Sequence, residues 1–266
     1  MMPDFEVQIW AEGDAYEPYI GRWSRLVARE FIEWLHVLPG KRWLDVGCGT
    51  GALTQTILEL TAPASVVGID SSERFIEYAR AHVQDERATF RVGEAQALES
   101  ERGEFDIVVS GLVLNFVANP ARMVSEMRRA CRLNGRVAAY VWDYAGEMQL
   151  IRYFWDTAAE LNPAVRDLDE GSRFPIANQR RLWDLFLDSG LNDVRTRAID
   201  VPTYFRDFED YWTPFLGGVG PAPAYIVSLA EEQRTALREQ LRARLPQDRD
   251  GSIKLQARAW AVRGTR

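Results

Sequence analysis

Between residues 42 and 143 the chain alternates between short apolar runs and longer stretches in which apolar residues recur every three or four positions. Short runs rich in β-branched residues predict buried strands, and the longer periodicity predicts helices. Repeated alternation of the two is typical of a parallel sheet whose strands are joined by crossover helices. The predicted strands of this stretch cover residues 42–46, 64–70, 89–92, 105–111 and 136–143.

The pattern changes after residue 144, where amphipathic helices predominate. Residues 192–203 are a candidate strand, and residues 252–262 alternate between apolar and polar positions in a way that suits an antiparallel sheet edge. Residues 204–216 are dense in aromatic side chains and are followed by a Gly/Pro-rich run at 217–221. These aromatics are either core beneath a helical cap or part of a substrate lid.

The chain shows no internal repeat and no low-complexity linker, which predicts a single domain over residues 1–266. Its predicted parts are an N-terminal helical cover (1–40), a ligand-binding core (41–143) and two helical cap insertions (144–177 and 204–250).

The composition of the chain argues against several classes of function. A net charge of −7 argues against an electrostatic nucleic-acid binder, which usually presents a basic face. The N-terminal residues lack a signal-peptide pattern, and no apolar run approaches the length of a membrane span. The two cysteines, Cys48 and Cys131, lack metal-ligand spacing and are too few for a disulfide framework. We therefore expect a cytoplasmic protein with no metal site and no nucleic-acid or membrane partner.

The first predicted strand leads into a glycine turn, with Gly47, Gly49 and Gly51 spaced as G-x-G-x-G and Asp45 two residues before the first of them. Dinucleotide sites use G-x-G-x-x-G instead. A carboxylate at the position of Asp45 disfavours a pyrophosphate and suits a ligand that carries an ammonium and a sulfonium. This segment resembles the class I S-adenosylmethionine-dependent methyltransferases, whose motif is an acidic residue followed by G-x-G-x-G.

The resemblance implies a doubly wound α/β fold: a mostly parallel seven-stranded sheet with helices on both faces, an antiparallel last strand and helical cap insertions. It implies S-adenosylmethionine as the cofactor. Asp70 ends the second predicted strand, about twenty residues past the glycines, where a carboxylate can accept both ribose hydroxyls. The alternative is that Asp70 caps the next helix. Ser71 beside it and Phe75, which would line the adenine, are assigned to the same site.

Two further strand ends complete the site that the resemblance implies. Glu94 and Ala95 follow the third predicted strand and resemble the family's acid-plus-alanine adenine site. The end of the fourth predicted strand would pass beneath the methionine portion of the cofactor. The candidate cofactor contacts there are Ser110, Gly111 and Leu112.

Candidates for the acceptor side are fewer. Asn115 is a candidate for facing the substrate, at a position where many relatives carry a histidine base. Tyr140 and Asp143, near the end of the fifth predicted strand, are candidates for assisting proton removal or are structural.

The N-terminal cover contains a Y-x-x-Y-x-G-x-W-S pattern at residues 16–24. It resembles the family's segment that folds over the methionine end of the cofactor, with Tyr19 and Trp23 placed to shield the sulfonium through cation–π attraction. The alternative is a helix that simply packs on the sheet.

The resulting prediction is a methyltransferase that moves a methyl group by in-line displacement to a small, apolar or aromatic acceptor. The alternatives are a nicotinamide-dependent oxidoreductase, disfavoured by the glycine spacing and Asp45, and a non-catalytic protein that binds S-adenosylmethionine. The acceptor, the identity of any general base and the oligomeric state stay open.

Overall fold

The computed structural model describes residues 20–217 and 220–266. These residues form two compact units, which we call the sheet unit and the helical unit. The sheet unit consists of Ser24–Trp142, Ile176–Ile199 and Ala259–Arg266. The helical unit, where described, consists of residues 20–23, Asp143–Pro175 and Asp200–Arg258 without 218–219. The two predicted cap insertions fall largely within the helical unit, and the single-domain organisation stays a prediction.

Seven strands form one sheet in the order β3-β2-β1-β4-β5-β7-β6. Their bounds are β1 Arg42–Val46, β2 Ser65–Asp70, β3 Ala88–Val92, β4 Phe105–Gly111, β5 Cys131–Trp142, β6 Asn192–Phe205 and β7 Ile253–Thr265. The pairs β1/β2, β2/β3, β1/β4 and β4/β5 are parallel, and β7 runs antiparallel to β5. The predicted doubly wound fold with an antiparallel last strand is confirmed.

Helices connect these strands. The α-helices are α1 Arg22–Leu35, α2 Ala52–Thr61, α3 Glu73–His82, α4 Pro120–Ala130, α5 Gln149–Leu161, α6 Glu170–Arg173, α7 Gln179–Asp188, α8 Phe208–Trp212, α9 Pro221–Ser228 and α10 Glu231–Arg244. Two 3₁₀ turns lie at Pro163–Asp167 and Thr213–Gly217. Among the described residues no helix is long and apolar enough to cross a membrane.

One predicted boundary is wrong. The sequence predicts that the fifth strand begins at residue 136, whereas α4 ends at Ala130 and β5 begins at Cys131. Asn134 does have a positive φ of 59°, but it lies within the strand segment, where its N–H binds the carbonyl of Arg266 at 3.0 Å. The Arg266 guanidinium donates to the carbonyls of Arg129 and Cys131. Together with the N–H of Gly103, which binds the carbonyl of Arg129 at 3.0 Å, this side chain satisfies the carbonyls where α4 meets β5.

The sheet places the chemistry-bearing residues at one edge. β1 lies between β2 and β4 and is parallel to both, with Val46 paired to Ile69 and Asp45 paired to Val109. The carboxyl ends of these three strands therefore meet. In open α/β sheets this edge is where ligands bind.

Candidate functional site

The glycine turn that follows β1 depends on backbone conformations and approaches that a side chain would block. Gly47 has a φ of +74°, and a Cβ built on it would lie 2.4 Å from Cγ2 of Val113 in the loop after β4. Gly49 also has a positive φ, +52°, but a Cβ there would meet no atom within 4 Å in the part of the chain that the structure describes. Gly47 thus allows close packing between two loops, and Gly49 leaves open space above the turn. Gly51 is the N-cap of α2, without a side-chain hydrogen bond.

Asp70, at the end of β2, binds the glycine turn directly. Its Oδ2 accepts the N–H of Gly49 and its Oδ1 accepts the N–H of Ser72, each at 2.9 Å. Burial raises the pKa of this carboxyl, and its two backbone hydrogen bonds oppose that rise. Ser72 is the N-cap of α3, so the helix cap predicted as an alternative role for Asp70 belongs to Ser72. Each carboxylate oxygen of Asp70 keeps acceptor capacity for a second partner.

Asp45 is fully buried on β1. Its Oδ2 accepts the hydroxyl of Thr54 at 2.8 Å, while its Oδ1 has no hydrogen-bond partner among the described residues. Burial raises the pKa of Asp45 to about 7, and the charge of Asp70 adds to the effect. A buried carboxylate oxygen without a partner is costly, and a cationic group beside it would favour its charged form. Asp45 therefore fits a ligand that carries an ammonium.

The remaining residues assigned to the nucleoside side lie around Asp70. Glu94 is exposed in the loop after β3, and its charge contributes to the raised pKa of Asp70, after burial as the main cause. Ala95 beside it is half-buried. Phe75 is half-buried on the first turn of α3 and Ser71 is exposed before that helix. Their cofactor contacts stay predictions.

Hydrogen bonds and close packing connect the end of β4 to β1 and β5. Ser110 is buried and donates its hydroxyl to the carbonyl of Val46 at 2.7 Å. A Cβ on Gly111 would lie 2.5 Å from the hydroxyl oxygen of Tyr140. Leu112 has a left-handed φ of 63° and donates its N–H to the carbonyl of Tyr140 at 2.8 Å. Such strain in a leucine is typical of functional sites, and it turns the chain toward the glycine turn.

The acceptor-side candidates differ in their surroundings. Asn115 is only 9% exposed, and within residues 20–217 and 220–266 neither its Oδ1 nor its Nδ2 has a hydrogen-bond partner. Tyr140 is buried, with its ring 4.7 Å from that of Phe31. Asp143 lies in the helical unit, where its Oδ2 accepts the N–H of Glu147 at 3.0 Å and fixes a turn. Of the three, only Asn115 has side-chain polar atoms that are buried without a partner in the described part of the chain.

The predicted aromatic cover is described only in part. Tyr19 lies outside the described residues. Trp23 belongs to the helical unit, and its ring lies 5.5 Å from that of Phe205. The cation over the Trp23 ring is the guanidinium of Arg22, with 4.4 Å between Cζ and the ring centroid. The role of Trp23 toward a sulfonium stays a prediction.

Sequence reasoning missed two residues that shape the site. Thr54, one turn into α2, supplies the hydrogen bond to Asp45. Val113 packs over Gly47. The role of Thr54 could have been predicted from the sequence. Thr54 is a polar residue on the apolar face of a crossover helix and follows a buried acid by a few residues, which indicates a hydrogen bond between the two side chains. No feature of the sequence predicted that Val113 would contact the glycine turn.

Comparison with known proteins agrees with this geometry. Residues 44–139 match the family described as methyltransferase domain. Over 121 residues the chain is 36% identical to the demethylmenaquinone methyltransferase of Symbiobacterium thermophilum, covering 44% of this chain and 48% of the relative. Over 166 residues it is 30% identical to the ubiquinone biosynthesis O-methyltransferase of Roseobacter denitrificans, covering 58% and 61%. The chain thus spans less than two thirds of these relatives.

Among solved structures, the fold resembles phosphoethanolamine N-methyltransferase 2 of Haemonchus contortus in complex with S-adenosyl-L-methionine. The TM-score is 0.59 at 15% identity, over 95% of this chain and 56% of that one. A likeness at this identity establishes the shared fold. The family match and the relatives' sequences identify residues 44–139 as a methyltransferase domain.

Proposed function

We propose that this protein transfers a methyl group from S-adenosylmethionine to a small, apolar or aromatic acceptor. The observation that carries the proposal is the unpartnered Oδ1 of the buried Asp45, next to a glycine turn with open space above Gly49. A cofactor that carries an ammonium would give that oxygen the partner it lacks. Bound S-adenosylmethionine supplies an activated methyl group on a sulfonium.

The chain's own residues divide the binding task between them. Asp70, held in place by two backbone N–H groups, would accept ribose hydroxyls, and Phe75, Glu94 and Ala95 would contact the adenine. Asp45 would bind at the methionine end. The charge of Asp70 contributes to the raised pKa of Asp45. Cation binding would draw Asp45 toward its charged form.

The acceptor is proposed from the names of the relatives. Those relatives are named for demethylmenaquinone and for ubiquinone biosynthesis, which supports a small ring-containing acceptor. Asn115, buried and without a partner, would orient the acceptor's nucleophilic atom by a hydrogen bond. In-line displacement needs alignment and exclusion of water more than it needs a base, so the asparagine in place of a histidine is compatible with the reaction.

A small-molecule acceptor and a cytoplasmic location complete the proposal. The net charge of −7 supports a partner other than nucleic acid, and the two buried free cysteines suit a reducing compartment.

Two measurements test the proposal. Calorimetric titration with S-adenosylhomocysteine and with NAD asks which cofactor binds, and we expect only the former to bind. Incubation with methyl-labelled S-adenosylmethionine and a panel of catechols, hydroxyquinones and amines asks whether a methyl group moves. Binding without transfer to any of the panel would favour a non-catalytic cofactor-binding protein, and binding of NAD alone would refute the proposal.

A further inference from the structure

The three threonines of α2 are buried, and they use their hydroxyl groups in two different ways. Thr56 and Thr61 each donate the hydroxyl to the carbonyl of the residue four positions earlier, at 2.9 and 2.8 Å. Such bonds stay within the helix, as is usual for a threonine in a helix interior. The hydroxyl of Thr54 instead leaves the helix and donates to Oδ2 of Asp45 on β1, at 2.8 Å.

The place of Thr54 in the helix explains this difference. Because α2 begins at Ala52, Thr54 lies in the first turn, and the residue four positions earlier lies outside the helix. The hydroxyl is therefore free to reach the neighbouring strand. Thr54 is 0% exposed, so bulk water does not compete with Asp45 for this hydroxyl.

This hydrogen bond has two consequences for the carboxyl group of Asp45. It fixes the rotation of the group, with Oδ2 on the side of α2 and Oδ1 left without a partner in the described part of the chain. It also acts on the charge, because burial raises the pKa of Asp45 to about 7 and the hydroxyl and backbone N–H of Thr54 oppose that rise. Thr54 thus affects both which oxygen is free and how much of the group is charged near neutral pH.

We propose that Thr54 is a positioning residue for S-adenosylmethionine, whose hydroxyl fixes Oδ2 of Asp45 against α2 and so reserves Oδ1 for the ammonium of the cofactor. The inference rests on the proposed function, because the ammonium belongs to the bound cofactor. Thr54 acts through Asp45 and needs no contact with the cofactor. A threonine with a purely structural role would support the fold and leave cofactor binding by the folded protein unchanged.

The other groups around Asp45 are the same in every variant of residue 54. Asp70, at the end of β2, raises the pKa of Asp45 through its charge. Burial raises the pKa of the Cys48 thiol in the glycine turn well above its ordinary value of 9.0, so the thiol stays neutral near neutral pH. On β4, Asp45 pairs with the uncharged Val109, and the first turn of α2 contains no acidic residue. A difference between variants of residue 54 therefore reports the bond to Asp45.

Calorimetric titration of S-adenosylhomocysteine into the full chain from pH 6 to pH 9 tests the inference. We expect the affinity of the wild type to rise with pH, and the same rise in Thr54→Val to occur at a pH about one unit higher, because a hydrogen bond to the charged carboxylate is lost. Thr54→Ser keeps the hydroxyl and restores the wild-type profile. Thr56→Val is the matched control, because it removes a buried hydroxyl that bonds within the same helix, and it leaves the profile unchanged.

A double-mutant cycle with Asp45→Asn gives a second readout. At pH 7, Thr54→Val should lower the affinity for S-adenosylhomocysteine by about threefold to fivefold when Asp45 is present. In the Asp45→Asn background the same substitution should lower it by less than about twofold, because no carboxylate charge is left to position.

Three results would overturn the role of Thr54. They are coinciding pH profiles of wild type and Thr54→Val, equal losses of affinity in Thr54→Val and Thr56→Val, and an undiminished effect of Thr54→Val in the Asp45→Asn background. If Thr54→Val does not fold, as judged by thermal melting, Thr54→Cys takes its place. A thiol is a weaker donor than a hydroxyl, so the profile of Thr54→Cys must then be displaced from that of Thr54→Ser.

Failure of this inference and failure of the proposed function give different results. If the wild type does not bind S-adenosylhomocysteine, the proposed function fails and the role of Thr54 fails with it. If the wild type binds and the profiles of the variants coincide, the role of Thr54 alone is refuted.

Discussion

The backbone N–H of Gly49 donates to Oδ2 of Asp70 over 2.9 Å and joins the glycine turn to the end of β2. This bond links the two most informative signals in the sequence, the G-x-G-x-G motif and the acid at the next strand end. It also fixes the orientation of the Asp70 carboxylate before any ligand arrives. Such preorganisation lowers the entropic cost of binding.

The pH dependence of cofactor binding follows from Asp45. Its pKa is raised to about 7, chiefly by burial. The carboxyl is thus largely neutral at pH 6 and charged at pH 8, and the charged form binds an ammonium better. We expect the affinity for S-adenosylhomocysteine to rise between pH 6 and pH 8 in the wild type, and to change clearly less in Asp45→Asn. Calorimetry at both pH values measures this, and parallel curves for the two proteins would contradict it.

The same shift affects folding stability. Because the folded pKa of Asp45 lies above the ordinary value of 3.8, the folded state binds more protons than the unfolded state between these values. The contribution of Asp45 to stability is therefore present below pH 4 and is lost as the pH rises through about 7. We subtract the free energy of unfolding of the wild type from that of Asp45→Asn at the same pH. This difference should be more positive at pH 8 than at pH 5. Denaturant unfolding at each pH tests this, and a difference of opposite sign would show that the carboxyl is stabilised in its charged form.

The two glycines at 47 and 49 should fail in different ways when changed to alanine. Both have positive φ, so each substitution costs about 1–2 kcal/mol of backbone strain. Gly47→Ala also places a Cβ against Val113 and should unfold at clearly lower denaturant concentration. Gly49→Ala meets only open space, so its main effect should be an S-adenosylhomocysteine affinity reduced by about tenfold or more. Equal losses of stability in the two variants would argue against this division.

Substitution of Asn115 should lower the methyltransferase activity with little change in folding stability. Its amide is buried without partners, so removing it relieves an unsatisfied group. We expect Asn115→Ala to melt within a few degrees of the wild type, because the lost side-chain volume offsets that relief. Methyl transfer to an acceptor found in the labelled screen should fall by about tenfold or more, with S-adenosylhomocysteine affinity unchanged. A variant that is severely unstable yet fully active per folded molecule would show that Asn115 is structural.

The first four strands of the sheet were predictable because they are short, largely apolar and close to glycines or acids. β4 was predicted with its observed bounds, since Phe105 and the apolar run at residues 107–109 lie just before Gly111. The start of β5 was not predictable. It depends on the Arg266 side chain, more than a hundred residues away, which binds the carbonyls of Arg129 and Cys131. Local sequence near Asn134 carries no trace of that contact.

The candidate site was also predictable only in part. The sequence predicted Asp45 and Asp70 from their spacing relative to the glycines. It did not predict that one oxygen of Asp45 lacks a partner, because this depends on where Thr54 reaches from α2.

Calorimetric titration of S-adenosylhomocysteine into the wild type and into Asp70→Ala tests the central claim most directly, with Glu73→Ala on the first turn of α3 as the matched surface control. We predict single-site binding by the wild type and the control, and affinity lower by about tenfold or more in Asp70→Ala. No binding by the folded wild type, or equal affinity in wild type and Asp70→Ala, would contradict the account.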